Sequence, residues 1–362
     1  MGNRELVTRR QVLRSAAGAC GAAAVGALGS TTAAPERRSP AFGLASNVFD
    51  MGHAADVAAG RTPGISDPLE FLKESHRLGA DGIQGPLGIR DAAYASELRR
   101  FAEERGLYVE ASIAAPHDAA TVERFEKEVL TAQAAGAQLA RTVIFPGRRY
   151  EQFNSSADFA QASQRAARSL ELAEPVARRH KFRLAVENHK DQRVPERLDL
   201  LKRLGSEHLG ICVDVGNSFA LCEDPLEVVR AYAPLAWTVH LKDQAVRESE
   251  DGFLFADAPL GRGFLDLSAI VRLLRTANPA IHFNIEVMTR DPLRVPVLTP
   301  KYWATMPDVP AAELARTLRT VKANASGQPL SLLSNLSIED RVAAETRNIS
   351  ESLAYAREHL RV

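Results

Sequence analysis

Four short runs of β-forming residues, each followed by a helical pattern, limit what this chain can fold into. They are LAVENH (184–189), LGICVDVGN (209–217), WTVHLKD (237–243) and HFNIEVM (282–288). Strands that alternate with helices build a parallel sheet. When such a sheet closes into a barrel, the strand C-termini meet around one mouth, and the active site forms there. Glu187, Asp214, His240 and Glu286 sit in or at the ends of these runs. Three carboxylates and one imidazole gathered at a mouth make a site for a divalent metal.

Alternation within the runs points the same way. Side chains two apart share a face of a strand. Leu184 and Val186 face outward against helices, so Ala185 and Glu187 face in. Val213 faces out, so Cys212 and Asp214 face in. Val239 and Leu241 face out, so Thr238, His240 and Lys242 face in. Phe283 and Ile285 face out, so Asn284 and Glu286 face in. All four candidate ligands fall on the inner face, where charged groups are not left unpaired.

Upstream, strands are expected near 42–48, 79–84, 107–114 and 139–145, with helices over 67–78, 91–105, 118–135 and 156–179. In the last of these, Phe159, Ala166, Leu170, Ala173 and Ala177 recur at helical spacing. Pro175 is expected to kink or split it. Asp224-Pro225 opens the helix after strand six, and Asp266 caps the helix after strand seven. Eight βα steps make a (β/α)8 TIM barrel over 41–362, with a C-terminal helical extension. Residues 290–337 break the rhythm and are rich in proline, with Tyr302 and Trp303 among them. Following strand eight, this segment is placed to arch over the mouth as a lid or substrate rim, or else to wrap the barrel side. A final helix near 338–360 packs on the barrel or on a second subunit of a homo-oligomer.

The N-terminus has a different character. Thr8-Arg9-Arg10-Gln11-Val12-Leu13 is a twin-arginine pattern, and an uncharged Ala/Gly run follows over 16–29. Residues 1–34 therefore read as a twin-arginine export signal, 35–40 as a linker, and the mature protein as periplasmic or secreted. The partner implied is the twin-arginine machinery, which carries folded proteins, so a metal can be loaded before export. Lys+Arg and Asp+Glu are each 45, giving zero net charge, which argues against nucleic acid as a partner. Cys212 and Cys222 remain after signal removal. With Cys212 inside the barrel, buried free thiols are expected rather than a disulfide.

Taken together, VENH (186–189), CVDVGN (212–217), VHLKD (239–243), PLGRG (259–263) and NIEVM (284–288) resemble the xylose isomerase-like barrel superfamily. That group comprises sugar phosphate isomerases and epimerases and also contains endonuclease IV. The resemblance covers roughly 41–290. It implies that Glu187, Asp214, His240 and Glu286 bind one divalent metal and that Glu187 and Glu286 form the acid–base pair, as in ketose epimerases. The chain departs from relatives in carrying Gln84 where a glutamate is often found at the end of strand two. Endonuclease IV has a histidine soon after the strand-six aspartate, whereas this chain reads Asp214-Val215-Gly216-Asn217.

The donor set of oxygens and one nitrogen suits Mn²⁺ first, with Mg²⁺, Co²⁺ or Zn²⁺ as alternatives. The expected function is isomerisation or epimerisation of a carbohydrate by proton abstraction next to a carbonyl. A lyase or hydrolase acting on an oxidised keto sugar or glycoside is the competing reading, since phosphorylated sugars are intracellular and no Gly-rich phosphate cradle is present. A non-catalytic sugar-binding barrel and a nuclease come behind. Lys242, His189, Asn217 and Arg262 are the candidate substrate-binding residues. His53 and His117 follow strands one and three on the same side.

Overall fold

The computed structural model describes residues 40–61, 64–145, 147–325 and 330–361. The proposed export signal and all but the last residue of the linker lie outside them.

Eight parallel strands close into a barrel. In chain order they are β1 (Ala41–Ala45), β2 (Gly82–Gly85), β3 (Tyr108–Ser112), β4 (Leu139–Thr142), β5 (Arg183–Glu187), β6 (Leu209–Asp214), β7 (Ala236–Leu241) and, after an inserted hairpin β8 (Asp243–Ser249) and β9 (Gly252–Ala258), β10 (His282–Ile285). A short strand β11 (Leu293–Val295) follows. The barrel order is β1-β10-β7-β6-β5-β4-β3-β2, so this is a (β/α)8 TIM barrel. Phe42, Leu44, Val186, Ile211, Val213, Val239, Leu241, Phe283 and Ile285 pack outward with the helices into one core. That outer apolar layer forces the alternate residues inward. Among the described residues, no helix is long and apolar enough to cross a membrane.

The barrel floor is filled by a polar cluster around Tyr108 and Glu110. The Tyr108 ring runs so close to Gly43 and Gly82 that a Cβ at either would collide with it. Tyr108 Oη donates to Asn284 Oδ1 at 3.0 Å, and the ring stacks on His282 at 3.9 Å. Glu110 Oε2 accepts from Thr238 Oγ1 at 2.6 Å, Asn284 Nδ2 at 3.0 Å and Gln84 Nε2 at 3.0 Å. Its Oε1 faces His282 Nδ1 at 2.7 Å.

Several expected features are corrected. β1 is shorter than 42–48, and an unexpected helix, Asp50–Ala58, follows it. None of that helix's residues is buried, so it shows little apolar periodicity. The helix Ser156–Arg179 passes through Pro175 without dividing. Pro175 is exposed, so the carbonyl it leaves unbonded can face water. Between β7 and the helix capped by Asp266, the chain makes the β8–β9 hairpin. β11 then joins β9 antiparallel in a three-stranded sheet.

The described residues of 290–337 therefore form a packed layer against the segment that follows β6, on the mouth side, rather than a loop wrapping the barrel side. Besides β11 they form helices Pro300–Trp303 and Ala311–Asn324. With the hairpin they build a second core of Phe219, Phe253, Phe255, Val295, Val297, Tyr302 and Val321. Tyr302 is fully buried, and its hydroxyl donates to Ala220 O at 2.8 Å. Trp303 donates to Val297 O at 2.8 Å. Both aromatics hold this second layer together. Cys212 and Cys222 are buried free thiols. The final helix, Ile338–His359, seats Ile349, Leu353 and Ala356 in the barrel core.

The loop after β5 is fixed by a fully buried ion pair. Arg197 Nη2 donates to both Asp191 oxygens at 3.0 Å. Removing one partner of such a pair strands the other charge in the interior, which costs about 3–5 kcal/mol. Asp191→Ala is expected to lower unfolding stability by that amount in urea titrations. A loss under about 1 kcal/mol would show that water reaches Arg197.

Candidate active site

The four expected ligands come together at the C-terminal rim. Glu187 ends β5, Asp214 ends β6, His240 is next to last in β7, and Glu286 follows β10 directly. These strands are consecutive staves, and register places Asp214 opposite His240 and His240 opposite Asn284. All four side chains are buried. Ligand atoms of Asp214, His240 and Glu286 lie within 4.8 Å of one another, and those of Glu187, Cys212 and His240 form a second such group. His240 Nδ1 stands 3.2 Å from Glu286 Oε1 and 3.6 Å from Glu187 Oε2.

Each carboxylate also has a cation. Lys242 Nζ lies 2.8 Å from Asp214 Oδ2 and is paired with Glu286 Oε2. Arg141, on β4, is paired with Glu187 and donates to Ser112 Oγ at 3.1 Å. Burial alone raises a carboxyl pKa. At Glu187 the charges of Arg141 and His240 outweigh it and bring the value down to about 2. At Glu286 burial is likewise outweighed by Lys242 and His240, and the value falls well below the usual range. Asp214 goes the other way, up to about 7. Burial dominates there, and Lys242 offsets it only in part.

The donor set fits a cation on a structural ground. Asp214 Oδ1 and His240 Nδ1 are buried and make no hydrogen bond. The histidine's free atom follows from its neighbours. Gln84 Nε2 donates to Glu110 Oε2, which turns Gln84 Oε1 toward His240 Nε2 at 2.6 Å. That nitrogen must carry a proton, and against burial Cys212, Glu286 and Glu187 raise the His240 pKa well above its usual value, so a cation would take the place of the second proton, on the Nδ1 that faces Asp214 and Glu286. Gln84 thus orients an expected ligand, although in the sequence it is visible only as a departure from relatives.

The candidate substrate-binding residues differ in placement. Lys242 is in the site. Asn217 is buried beside it: its Nδ2 is bonded to Asp214 Oδ2 and donates to Asn188 O at 3.2 Å. His189 is half-buried, with Nδ1 unpartnered. Burial lowers its pKa to about 4 against the pull of Glu187, so it is neutral at pH 7. Arg262 is exposed. Its turn is organised by Asp243, whose Oδ2 accepts from Gly261 N at 3.0 Å and Gly263 N at 2.8 Å. His53 and His117 are exposed. Residues the sequence reasoning missed are Arg141, Asn47, which is bonded to Glu286 Oε1, and Lys190, which is bonded to Asn217 Oδ1. Arg141 could have been found as a charge at an inward position of a barrel strand.

A family model described as xylose isomerase-like TIM barrel matches residues 72–320. The chain belongs to that family. One curated relative, 3-oxo-isoapionate decarboxylase of Pectobacterium atrosepticum, is 30% identical over 114 residues, which cover 31% of this chain and 42% of that protein. Among solved structures, D-psicose 3-epimerase from Clostridium cellulolyticum H10 superposes with a TM-score of 0.55 at 13% identity, covering 89% of this chain and all of that one. A second D-psicose 3-epimerase structure gives 0.52 at 14% identity, covering 78% of this chain and 97% of its own. At these identities the structural likeness speaks for the fold.

Proposed function

We propose that the protein is a metal-dependent carbohydrate enzyme that removes a proton next to a carbonyl and acts as an isomerase or epimerase. The observation that carries this is the convergence of Asp214, His240 and Glu286 within 4.8 Å, beside Glu187 on the neighbouring stave. A divalent ion held by these residues, Mn²⁺ as first choice, supplies Lewis acidity toward the substrate carbonyl and hydroxyl. The chain's residues do the rest. With β6 and β7 between their strands, Glu187 and Glu286 reach a substrate carbon from two sides. One accepts the proton and, now protonated, can return it at the next carbon; delivery to the opposite face needs the other glutamate to have first taken a proton from solvent or a substrate hydroxyl. Lys242 steadies charge that develops on a substrate oxygen. Arg141 holds Glu187 in place, Asn217 holds Asp214, and neutral His189 offers a nitrogen to a sugar hydroxyl.

A second reading is a lyase, favoured by the partial match to a decarboxylase. Losing CO₂ next to a carbonyl leaves the same carbanion as losing a proton, and a proton from solvent, relayed by one of the glutamates, can then quench it.

One experiment separates the two. Purified, metal-loaded protein is incubated in D₂O with free ketoses, keto acids and 3-keto-glycosides, and products are followed by NMR. The proposal expects an isomer or epimer with deuterium at the reacting carbon. CO₂ release or elimination supports the lyase. A metal-loaded protein that alters none of these substrates would overturn the enzyme reading.

A further inference from the structure

Among the described residues, Lys190 is a buried cation with no carboxylate in ion-pair contact. Four lysines and arginines are buried among the described residues. Three have a carboxylate in reach: Arg149 with Glu196 at 2.6 Å, Arg197 with Asp191 at 3.0 Å, and Lys242 with Asp214 at 2.8 Å. Lys190 is 3% exposed, and its ammonium is bonded only to Asn217 Oδ1, leaving two of its three hydrogens without a partner. An uncompensated charge in the interior is unfavourable, and proteins pair such groups or bind something to them. Each nearby carboxylate already faces another cation. Asp214 and Glu286 are taken by Lys242, and Glu187 by Arg141. Asp257 accepts from Gln244 at 2.8 Å and pairs with Arg290 at 3.2 Å.

The backbone also commits Lys190 to this position. Its φ is 27°, a conformation that non-glycine residues adopt rarely and that persists only where the surrounding structure holds it. Its carbonyl is tied to Arg149 N at 2.9 Å. Asn217 joins it to the metal site, with Oδ1 toward Lys190 and Nδ2 on Asp214 Oδ2. Burial, and next the charge of Lys242, lower the Lys190 pKa to about 8, with Asp214 and Asp257 opposing the fall.

We propose that Lys190 receives a carboxylate of the substrate, so that the sugar bound at this mouth is an acid sugar rather than a neutral one. A carboxylate fits better than a phosphate. It needs the single ammonium that is available, whereas phosphate sites gather several donors, as in a helix N-terminus or glycine-rich loop. This inference rests on reading the mouth as a carbohydrate site and goes on to name its substrate class.

The test uses three probes that differ only at C6: D-fructose, D-fructuronate and D-fructose 6-phosphate. Binding to metal-loaded wild type, Lys190→Met and Lys190→Arg is measured by calorimetry, with metal content and melting temperature determined in parallel. Wild type is expected to bind fructuronate at least about tenfold more tightly than either other probe. Lys190→Met should weaken fructuronate about 10–100-fold, as loss of a hydrogen bond between charged groups does. Fructose binding should change by less than about threefold on the same scale, and Lys190→Arg should keep the preference. The proposal is overturned if wild type shows no preference for fructuronate, prefers the phosphate, or binds none of the three. Equal weakening of all probes in Lys190→Met also overturns it, since that marks a structural role. If Lys190→Met does not fold, the wild-type preference and Lys190→Arg still decide. A wild type without metal that keeps the preference would sink the metal reading and leave this one standing.

Discussion

Glutamine at position 187 or 286 is expected to lower turnover by about 10²–10⁴, the usual effect of losing one general base. Glutamine nearly preserves shape, so the loss reports the missing charge and proton site. Both carboxylates are held ionised, Glu187 by Arg141 and His240 and Glu286 by Lys242 and His240, each against the effect of burial. Each can therefore accept a proton without first losing one. The two variants should differ in stability. Glu187→Gln leaves Arg141 facing an amide, while Glu286→Gln leaves Lys242 with Asp214 still at 2.8 Å. The larger drop in melting temperature is expected for Glu187→Gln. The measurement is kcat with metal content determined on the same sample, so that lost chemistry is separated from lost metal. Turnover close to wild type in both variants would rule out the acid–base pair.

The barrel and the convergence of four side chains were readable because strand geometry is strict. A period of two leaves no choice once Val186, Val213, Val239 and Ile285 are assigned outward. The second layer was not readable in this way. Residues 243–249 have the alternation of a strand, but they lie between a barrel strand and its helix, where a loop is the default. β11 has only three residues, too few for a pattern. Its pairing with β9 depends on tertiary contact. The prolines and aromatics of 290–337 are equally consistent with a rim and with a packed cap, and only the burial of Tyr302 decides. Lys190 and Arg141 were obscured for a related reason. A charge in a loop or strand reads as ordinary until its partners are known. What singles out Lys190 is the acid it lacks, which no sequence pattern records.

Asp214→Ala and His240→Ala are expected to abolish stoichiometric binding of one divalent ion, while Gln84→Leu should weaken it about 10–100-fold, the range for losing a group that orients a ligand. The ranking follows from geometry. Asp214 and His240 each offer a buried atom that makes no hydrogen bond, Oδ1 and Nδ1, so alanine removes the donor itself. Gln84 touches only the far side of the imidazole, at Nε2. Without it, nothing fixes the remaining proton on Nε2 when a metal displaces the one on Nδ1, so His240 can keep a protonated Nδ1 toward the carboxylates. Leucine has about the same bulk as glutamine, and Glu110 keeps its bonds from Thr238 and Asn284. The fold should therefore survive. The readouts are metal content by elemental analysis, metal affinity by calorimetry, and the histidine tautomer from ¹⁵N shifts of the Zn²⁺-loaded protein. Full occupancy in Asp214→Ala and His240→Ala would sink the site. Unchanged affinity and an Nε2–H tautomer in Gln84→Leu would show that Gln84 does not set the ligand.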